Sequence, residues 1–363
     1  MSGNDAGCRG LSPRISELPS PFAPNELRPI PALQPESIAW ARSSFAATYT
    51  AFAKMTEFLQ QILNGLIVGS IYSLVALGYT MVYGILQLIN FAHGDIVMVG
   101  AMTALLASKA IMTAFPELPG AVVLALSVLA AVAVCVPLSL IIERVAYRPL
   151  RNAPRLAPLI TAIGISLTLQ TIVMVIFGRN YHEFPSLVPQ QPIEFHGLVI
   201  SVTQIIILVL SLVCMVCLAL LIEKTQMGRM MRATSENPKV ASLLGIDTNK
   251  VVLMAFGIGA ALAGLTGVML AANYSLVHFY MGFIPGLKAF TAAVLGGIGN
   301  VYGAMFGGLI LGLVESLGAG YIGPLTNDFL GSHYQDIFAF VVLIAVLTLR
   351  PTGLMGERVA DRA

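Results

Sequence analysis

Residues 121–142 read AVVLALSVLAAVAVCVPLSLII, a stretch without a charged side chain. A helix needs about 20 consecutive apolar residues to cross the hydrocarbon core of a bilayer, and this stretch has that length. Similar apolar runs occupy residues 159–178, 198–222 and 337–349. None of them shows the apolar–polar alternation that a transmembrane β-barrel requires. The sequence therefore predicts an all-α fold, a polytopic bundle of transmembrane helices.

The composition of the whole chain agrees with a membrane protein. Of its 363 residues, 57% are hydrophobic and 10% are charged, and the mean hydropathy is +0.84. Soluble domains carry about 25% charged residues, so lipid must solvate much of this chain. The net charge is only +2, and the basic residues sit in short loops rather than in one large patch. A nucleic-acid partner is therefore not expected.

Residues 1–54 differ from the rest of the chain. Seven prolines fall between Pro13 and Pro35, and no apolar run here is long enough for the core of a signal peptide. We predict a disordered amino-terminal extension. Because an apolar segment starts directly after Met55, we also expect translation to begin at Met55, so that residues 1–54 would not be translated.

Positive charge predicts which loops face the cytoplasm, because short loops rich in Lys and Arg stay on that side. Residues 143–155 and 223–250 form two basic loops, and three arginines follow the last apolar run. Residues 178–197 hold a single basic residue and residues 318–336 hold none. We therefore place the first two loops and the carboxyl end in the cytoplasm, and the other two stretches in the periplasm.

Two membrane segments are interrupted. Residues 288–296 cover only about 14 Å at 1.5 Å per residue, too short for a crossing, so we expect a re-entrant or broken helix at Gly296-Gly-Ile-Gly299. Residues 58–112 are long enough for two or three passes but contain Asn90-Phe-Ala-His-Gly-Asp95. We expect about eight to ten membrane segments in a transmembrane domain of residues 55–356, followed by a cytoplasmic tail at 357–363.

The polar interruption has two interpretations. Ionisable side chains at membrane depth mark functional sites by default, whereas Asp95 at a helix amino terminus would satisfy free backbone amides. Broken helices in two halves of a transporter point to a substrate site, where helix ends offer partial charges. The candidates for lining the substrate path are Asn90, His93, Gly94, Asp95, Gly296, Gly297 and Gly299.

Other patterns indicate packing rather than chemistry. Cys214 and Cys217 have CxxC spacing but lie in an apolar run without a nearby His, so we expect no metal or redox site. Glycines four residues apart, which permit close helix approach, occur at 65 and 69, 303 and 307, and 308 and 312.

The loop at residues 223–250 is too long for a turn. Residues 227–235 can extend the preceding helix, Asn237-Pro238 can begin a second short helix, and Gly245 can end it. A short helix beneath the membrane can dock on a partner or rest on anionic lipid, and the pattern leaves both open.

Catalysis within this chain is not expected. It contains no GxxxxGK[ST] phosphate-binding loop, so we predict no ATPase site, no enzymatic activity and no bound cofactor. Glu315 is the main further charge in an apolar segment, which disfavours proton coupling. A passive small-solute channel and an ion-coupled transporter remain as competing functions.

Beyond these patterns, residues 55–356 closely resemble the LivH-type permeases of high-affinity branched-chain amino-acid ABC importers. The resemblance rests on residues 64–84, 89–95, 143–149, 241–246, 288–299 and 350–354. It implies a permease of the ABC-importer type in the bacterial inner membrane, carrying leucine, isoleucine or valine. Related permeases that carry urea, short amides or other neutral amino acids leave those cargoes open.

The resemblance also implies partners: a second homologous permease, two cytoplasmic ATPases that use ATP and magnesium, and a periplasmic amino-acid-binding protein. The loop at 223–250 would be the segment that couples to the ATPase. It departs from the EAA-type motif of other importers by having Arg-Ala-Thr-Ser-Glu. The implied coupling residues are Gly228, Arg232, Ala233, Glu236, Ala241, Leu244, Gly245 and Ile246.

Overall fold

The computed structural model describes residues 35–151, 153–154, 156–189, 191–195, 197–326, 335–350 and 352–356. These residues form eleven α-helices, which confirms the predicted helical fold. The tail at 357–363 and residues 1–34 lie outside the described residues. The helices are α1 (Pro35–Leu86), α2 (His93–Ala114), α3 (Gly120–Ile142), α4 (Leu156–Phe177), α5 (Val202–Lys224), α6 (Gln226–Glu236), α7 (Pro238–Leu243), α8 (Thr248–Tyr274), α9 (Phe283–Gly296), α10 (Val301–Leu325) and α11 (Gln335–Leu349).

The first helix begins earlier than the sequence predicts. α1 starts at Pro35, within the stretch for which a disordered extension is expected. This segment follows the clustered prolines, is rich in Ala and contains no Gly, and such a composition favours a helix. The chain divides into two compact units between Ala53 and Lys54, and the second unit holds the membrane helices.

The number of membrane segments agrees with the expectation. Within the described residues, seven helical stretches are long and apolar enough to cross a membrane, and two shorter apolar helices accompany them. The shorter ones are Phe283–Gly296 and Asp336–Leu349. The 14 residues of α9 rise about 21 Å, less than the hydrocarbon thickness of about 30 Å. α9 therefore cannot cross the membrane by itself.

Glycines bring α1 and α10 into backbone contact. A β-carbon on Gly69 would lie 2.9 Å from the Gly308 carbonyl oxygen, and one on Gly312 would lie 2.3 Å from the Gly69 Cα. Gly303 and Gly307 face α9 instead, against Gly296 and Ala292. The glycine pairs predicted to allow close packing thus do so on two sides of α10.

α1 and α8 form the interior of the bundle. In the most apolar 18-residue stretch of each helix, 89% of α1 and 72% of α8 is buried. The corresponding share is 22% for the span that includes α3. Gly100 of α2 lies against Gly264 of α8. Most exposed side chains of α3, α4 and α5 are apolar, as a lipid-facing surface requires, for example Leu129, Val175 and Leu212.

Gln60 of α1 lies beside residues 198–201, next to the stretch predicted to face the periplasm. The Gln60 side chain makes two hydrogen bonds of 2.9 Å to the Val199 backbone. Residues 198–201, expected in a membrane helix, instead form a strand, because Ser201 and Gln204 make a capping box that begins α5 at Val202. The strands pair antiparallel, β1 (His182–Glu183) with β4 (Leu276–Val277) and β2 (Pro192–Phe195) with β3 (Leu198–Ser201).

Gly312→Leu should destabilise the bundle, because its side chain would occupy the space of the Gly69 backbone. Overpacking of this kind costs about 1–3 kcal/mol or more, measurable as a lower thermal unfolding midpoint in detergent. Gly164→Leu is the control, since a β-carbon there meets nothing within 4 Å. Equal destabilisation by both variants would contradict the close α1–α10 contact.

Candidate functional site

The amino terminus of α2 lies deep within the bundle. Its first residue, His93, is 2% exposed and packs against Gly78 of α1 and Gly259 of α8. Gly259 lies about 16 Å along α8 from Thr248, at 1.5 Å per residue. The positive end of the α2 dipole is therefore near the middle of the bundle. The predicted interruption is confirmed, and the chain is non-helical between Leu86 and His93.

Asn90 and His93 are buried polar residues with unpartnered atoms. The Tyr147 hydroxyl donates to Asn90 Oδ1 at 2.6 Å, from a π-helical turn that follows α3. The His93 ring meets Tyr79 edge-on, with 4.9 Å between centroids. Among the described residues, Asn90 Nδ2 and His93 Nε2 have no hydrogen-bond partner.

Asp95 links two helices rather than capping one. It lies in the first turn of α2, whose N-cap residue Ala92 makes no side-chain capping bond. Gln170 Nε2 of α4 donates to Asp95 Oδ1 at 2.9 Å and to Ser166 Oγ at 3.3 Å. The carboxylate thus ties α2 to α4, and its place near the positive end of α2 also stabilises its charge.

Gly94 allows α2 and α9 to touch. A β-carbon on Gly94 would lie 2.6 Å from the Gly282 carbonyl oxygen and 3.1 Å from the Gly286 Cα. Any larger side chain at position 94 would push the amino end of α9 away from α2.

The second predicted break is also confirmed, between α9 and α10. Gly297 and Gly299 have φ of 111° and 95°, a region that glycine adopts readily and other residues rarely do. The backbone of this turn is held by the carboxyl-terminal segment: Leu354 N donates to Leu295 O and Met355 N donates to Gly296 O, both at 2.9 Å. The Gly296 carbonyl is therefore satisfied within the chain.

Both breaks contribute to one small cavity of about 10 Å³. Of the predicted path residues, Asn90 lines this cavity, and Gly297 and Gly299 lie on either side of its wall residue Ile298. Asp95 does not line the cavity, because its carboxylate bonds to Gln170 of α4. The cavity is lined by Tyr79, Thr80, Tyr83, Leu88, Ile89, Asn90, Phe290, Ala293 and Ile298.

A buried charged cluster joins α1, α9, α10 and α11. Lys288 Nζ lies 2.6 Å from Glu315 Oε1 and 2.5 Å from Asp336 Oδ1, and it donates to the Tyr72 hydroxyl at 3.2 Å. Lys288 and Glu315 are 4% and 6% exposed. The sequence patterns predicted Glu315 as a charge in an apolar segment but did not indicate its partners. The available signal was Lys288 itself, because a lysine in an apolar helix requires a counter-charge.

The loop at 223–250 folds into two helices separated from α5. α5 ends at Lys224, and the extended residue Thr225 caps α6, its Oγ1 accepting from Gly228 N at 3.2 Å. The expectation that residues 227–235 extend α5 is therefore wrong. The chain turns at Thr225, and Gly228 permits the turn because a β-carbon there would lie 2.0 Å from the Ile222 carbonyl oxygen.

The short helix α7 forms as predicted. Asn237 Oδ1 accepts from Lys239 N at 3.1 Å and from Val240 N at 3.2 Å. Pro238 occupies the first helical position, and Gly245 ends the segment with φ of 84°. Asp247 then caps α8. The hydrogen bond from the Lys250 backbone N–H is the main cause that lowers the pKa of the Asp247 carboxyl.

α7 presents apolar side chains to solvent at its far end. Ala241 is 1% exposed and anchors the helix, whereas Leu243 and Leu244 are 87% and 74% exposed. Leu244 is one of the implied coupling residues, whereas Leu243 is not. Of the other implied coupling residues, Arg232 donates to the Ile222 carbonyl, Glu236 is exposed, and Ala233 and Ile246 are half-buried.

The two basic loops touch each other at the predicted cytoplasmic end. Arg151 pairs with the fully buried Glu143 and also donates to Asn249 Oδ1 at 2.7 Å.

Both cysteines of the CxxC pattern lie within α5. Among the described residues, no group of three His, Cys, Asp or Glu side chains could hold a metal ion.

Lys288→Met should strongly destabilise the bundle, because it leaves Glu315 buried without a counter-charge. Loss of one partner of a buried pair costs about 3–5 kcal/mol, and thermal unfolding in detergent would measure it. Adding Glu315→Gln should recover part of the loss. Lys250→Met is the control, since its pair with Asp247 is exposed, and it should leave the unfolding midpoint unchanged. Equal midpoints for Lys288→Met and Lys250→Met would contradict a stabilising cluster.

Comparison with known proteins identifies the family. A family model described as "Branched-chain amino acid transport system / permease component" matches residues 61–347. The chain is 45% identical over 306 residues to the Pseudomonas aeruginosa high-affinity branched-chain amino acid transport system permease protein BraD, covering 83% of this chain and 96% of that protein.

More distant relatives agree. The Escherichia coli K12 permease protein LivH of the same transport system is 43% identical over 304 residues, covering 83% of this chain and 96% of LivH. A probable LivH of Methanocaldococcus jannaschii is 29% identical over 300 residues, covering 82% and 92%. The chain therefore belongs to the family of branched-chain amino-acid transport permeases, and it is a multi-pass membrane protein.

Proposed function

We propose that this chain is the membrane-spanning permease subunit of an ABC importer for leucine, isoleucine and valine. The main support is the match of 45% identity to a high-affinity branched-chain amino-acid permease over 96% of that protein's length. The two interrupted membrane segments that meet at one cavity agree with a transport protein.

The energy for transport would come from partner chains. In this proposal two cytoplasmic ATPases bind ATP and magnesium, a second homologous permease completes the membrane domain, and a periplasmic binding protein delivers the amino acid. This chain itself binds no cofactor and hydrolyses no ATP. Its place is the inner membrane of a bacterial cell.

The exposed end of α7 is the proposed contact with the ATPase. Leu243 and Leu244 offer an apolar surface that a partner can bury, and Ala241 fixes the helix to the bundle. Gly245 turns the chain back towards α8, and the Asn237 cap sets where α7 begins. Gly228, Arg232, Ala233, Glu236 and Ile246 would hold this coupling segment in shape rather than make the central contact.

The proposed substrate path runs along the two breaks. Asn90 lines the cavity between them. The amino terminus of α2 at His93, Gly94 and Asp95 provides positive partial charge within the bundle. Gly297 and Gly299 allow the chain to reverse inside the bundle, so that the wall residue Ile298 can face the first break. Gly296 allows α9 to pack closely against Gly303 of α10.

Reconstitution tests the function directly. Liposomes containing this chain, the second permease and both ATPases, supplied with binding protein and internal ATP, should accumulate L-leucine. Liposomes containing this chain alone should not. Solute flux through the chain alone would support a passive channel, and gradient-driven uptake by it would support a secondary transporter. Uptake of urea but not leucine by the full system would support the alternative cargo.

Variants at α7 test the coupling contact. Leu244→Asp should reduce ATPase association and leucine uptake at least about tenfold, because a charge replaces apolar surface in the contact. Gly245→Pro should act similarly, since proline cannot adopt φ of 84° and would remove the Gly245 N–H bond to Ser242 O.

Leu349→Asp is the matched control for these variants, because Leu349 is a similarly exposed leucine at the end of α11. It should retain ATPase association. Normal uptake by Leu244→Asp, with the protein correctly inserted, would contradict the coupling role of α7.

A further inference from the structure

Two polar atoms remain without partners in the mainly apolar cavity between the breaks. Thr80 Oγ1 and Asn90 Nδ2 have no hydrogen-bond partner among the described residues, and both residues line the cavity. Thr80 is 2% exposed and Asn90 is 3% exposed. Buried donors without partners are disfavoured, so their meeting in one cavity points to a missing polar ligand.

The Thr80 hydroxyl is oriented unlike those of other buried helical threonines. Thr266 Oγ1 donates to Leu262 O at 2.7 Å, and Thr291 Oγ1 donates to Leu287 O at 2.9 Å. Each thus satisfies its hydroxyl on the preceding turn of its own helix. Thr80 makes no such bond, so its hydroxyl is left for a group in the cavity.

The orientation of the Asn90 amide is fixed by Tyr147. Because Oδ1 accepts from the Tyr147 hydroxyl, Nδ2 is left as the free donor. A hydroxyl donor and an amide donor close to the amino terminus of α2 suit an anionic group, and a carboxylate is the anion that an amino acid carries.

Besides Thr80, Asn90 and the two tyrosines Tyr79 and Tyr83, the cavity wall is apolar. Leu88 and Ile89 lie beside Asn90 on one side, and Phe290, Ala293 and Ile298 come from α9 and the second break. Such a wall excludes charged side chains and accepts branched aliphatic ones.

The cavity has room for about one water molecule, so an amino acid requires the walls to separate. The walls are carried by segments suited to such movement. α9 does not cross the membrane, and left-handed backbone flanks both breaks, at Gln87 with φ of 52° and at Gly297 and Gly299. Movement of α9 away from α1 would widen the cavity without breaking a full membrane helix.

We propose that Thr80 and Asn90 bind the carboxylate of the transported amino acid, and that Phe290, Ala293 and Ile298 contact its aliphatic side chain. This inference rests on the proposed function, because it assumes that an amino acid passes through this chain. It adds Thr80, a residue that the sequence patterns did not indicate, and it assigns the side-chain preference of the path to α9.

Thr80→Val in the complete reconstituted transporter tests the inference, with Thr266→Val as the matched control. Thr80→Val removes an unpartnered hydroxyl, so the thermal unfolding midpoint should not fall, yet leucine uptake at limiting concentration should drop about tenfold. Thr266→Val removes a satisfied hydroxyl, so the midpoint should fall while uptake stays within about twofold of wild type.

Two further variants address the rest of the site. Asn90→Asp keeps the acceptor for Tyr147 but replaces the free donor with a carboxylate oxygen, and it should abolish uptake by repelling the substrate. Ala293→Val narrows the apolar wall and should reduce leucine transport more than transport of valine, which is one methylene smaller.

The outcomes separate the two proposals. Normal leucine uptake by Thr80→Val and Asn90→Asp, with an active wild-type transporter, overturns the carboxylate site and leaves the proposed function standing. Absence of leucine, isoleucine and valine uptake by the wild-type transporter overturns the proposed function and this inference with it. A fall in both uptake and unfolding midpoint for Thr80→Val would show a structural role and overturn the inference.

Discussion

The structure depends on one constraint: backbone polar groups at membrane depth must find partners within the protein. Two interrupted segments violate the simplest solution, an unbroken helix. Both are enclosed by other helices. The turn after α9 is satisfied by the carboxyl-terminal segment through Leu354 N and Met355 N, and glycines at helix contacts let α1, α8 and α10 approach closely enough to surround the breaks.

The same constraint explains the buried charges. Lys288 cannot lie in an apolar helix without a counter-charge, and it meets Glu315 and Asp336 from two other helices. Asp95 is held by Gln170 of α4. These contacts join α9 to α10 and α11, and α2 to α4, so the charged groups help to position the short helix α9 and the start of α2.

The loop at residues 223–250 and the interior are joined through α8. α7 is anchored at Ala241, leaving Leu243 and Leu244 exposed, and α8 begins at Thr248 directly after this segment. Further along, Gly259 of α8 contacts His93 at the start of α2. One rigid helix thus runs from the exposed loop to the interrupted segment that carries Asn90.

Much of the fold could be predicted from local patterns. Apolar runs determined the helices, loop charge predicted which loops lie at each end, and Gly296 to Gly299 and Asn90 to Asp95 indicated both breaks. Local signals were weaker where helix boundaries depend on single capping residues. Ser201 begins α5 later than its apolar run, and Thr225 divides α5 from α6.

The sequence by itself determined that the chain must be a helical membrane protein, because burial in lipid requires long apolar helices and leaves few other solutions. Only the tertiary structure decided which polar groups meet. Lys288 reached Glu315 and Asp336, Asn90 reached Tyr147, and Thr80 came to share a cavity with Asn90. Such pairings depend on helix packing across the bundle, and spacing along the chain carries no information about them.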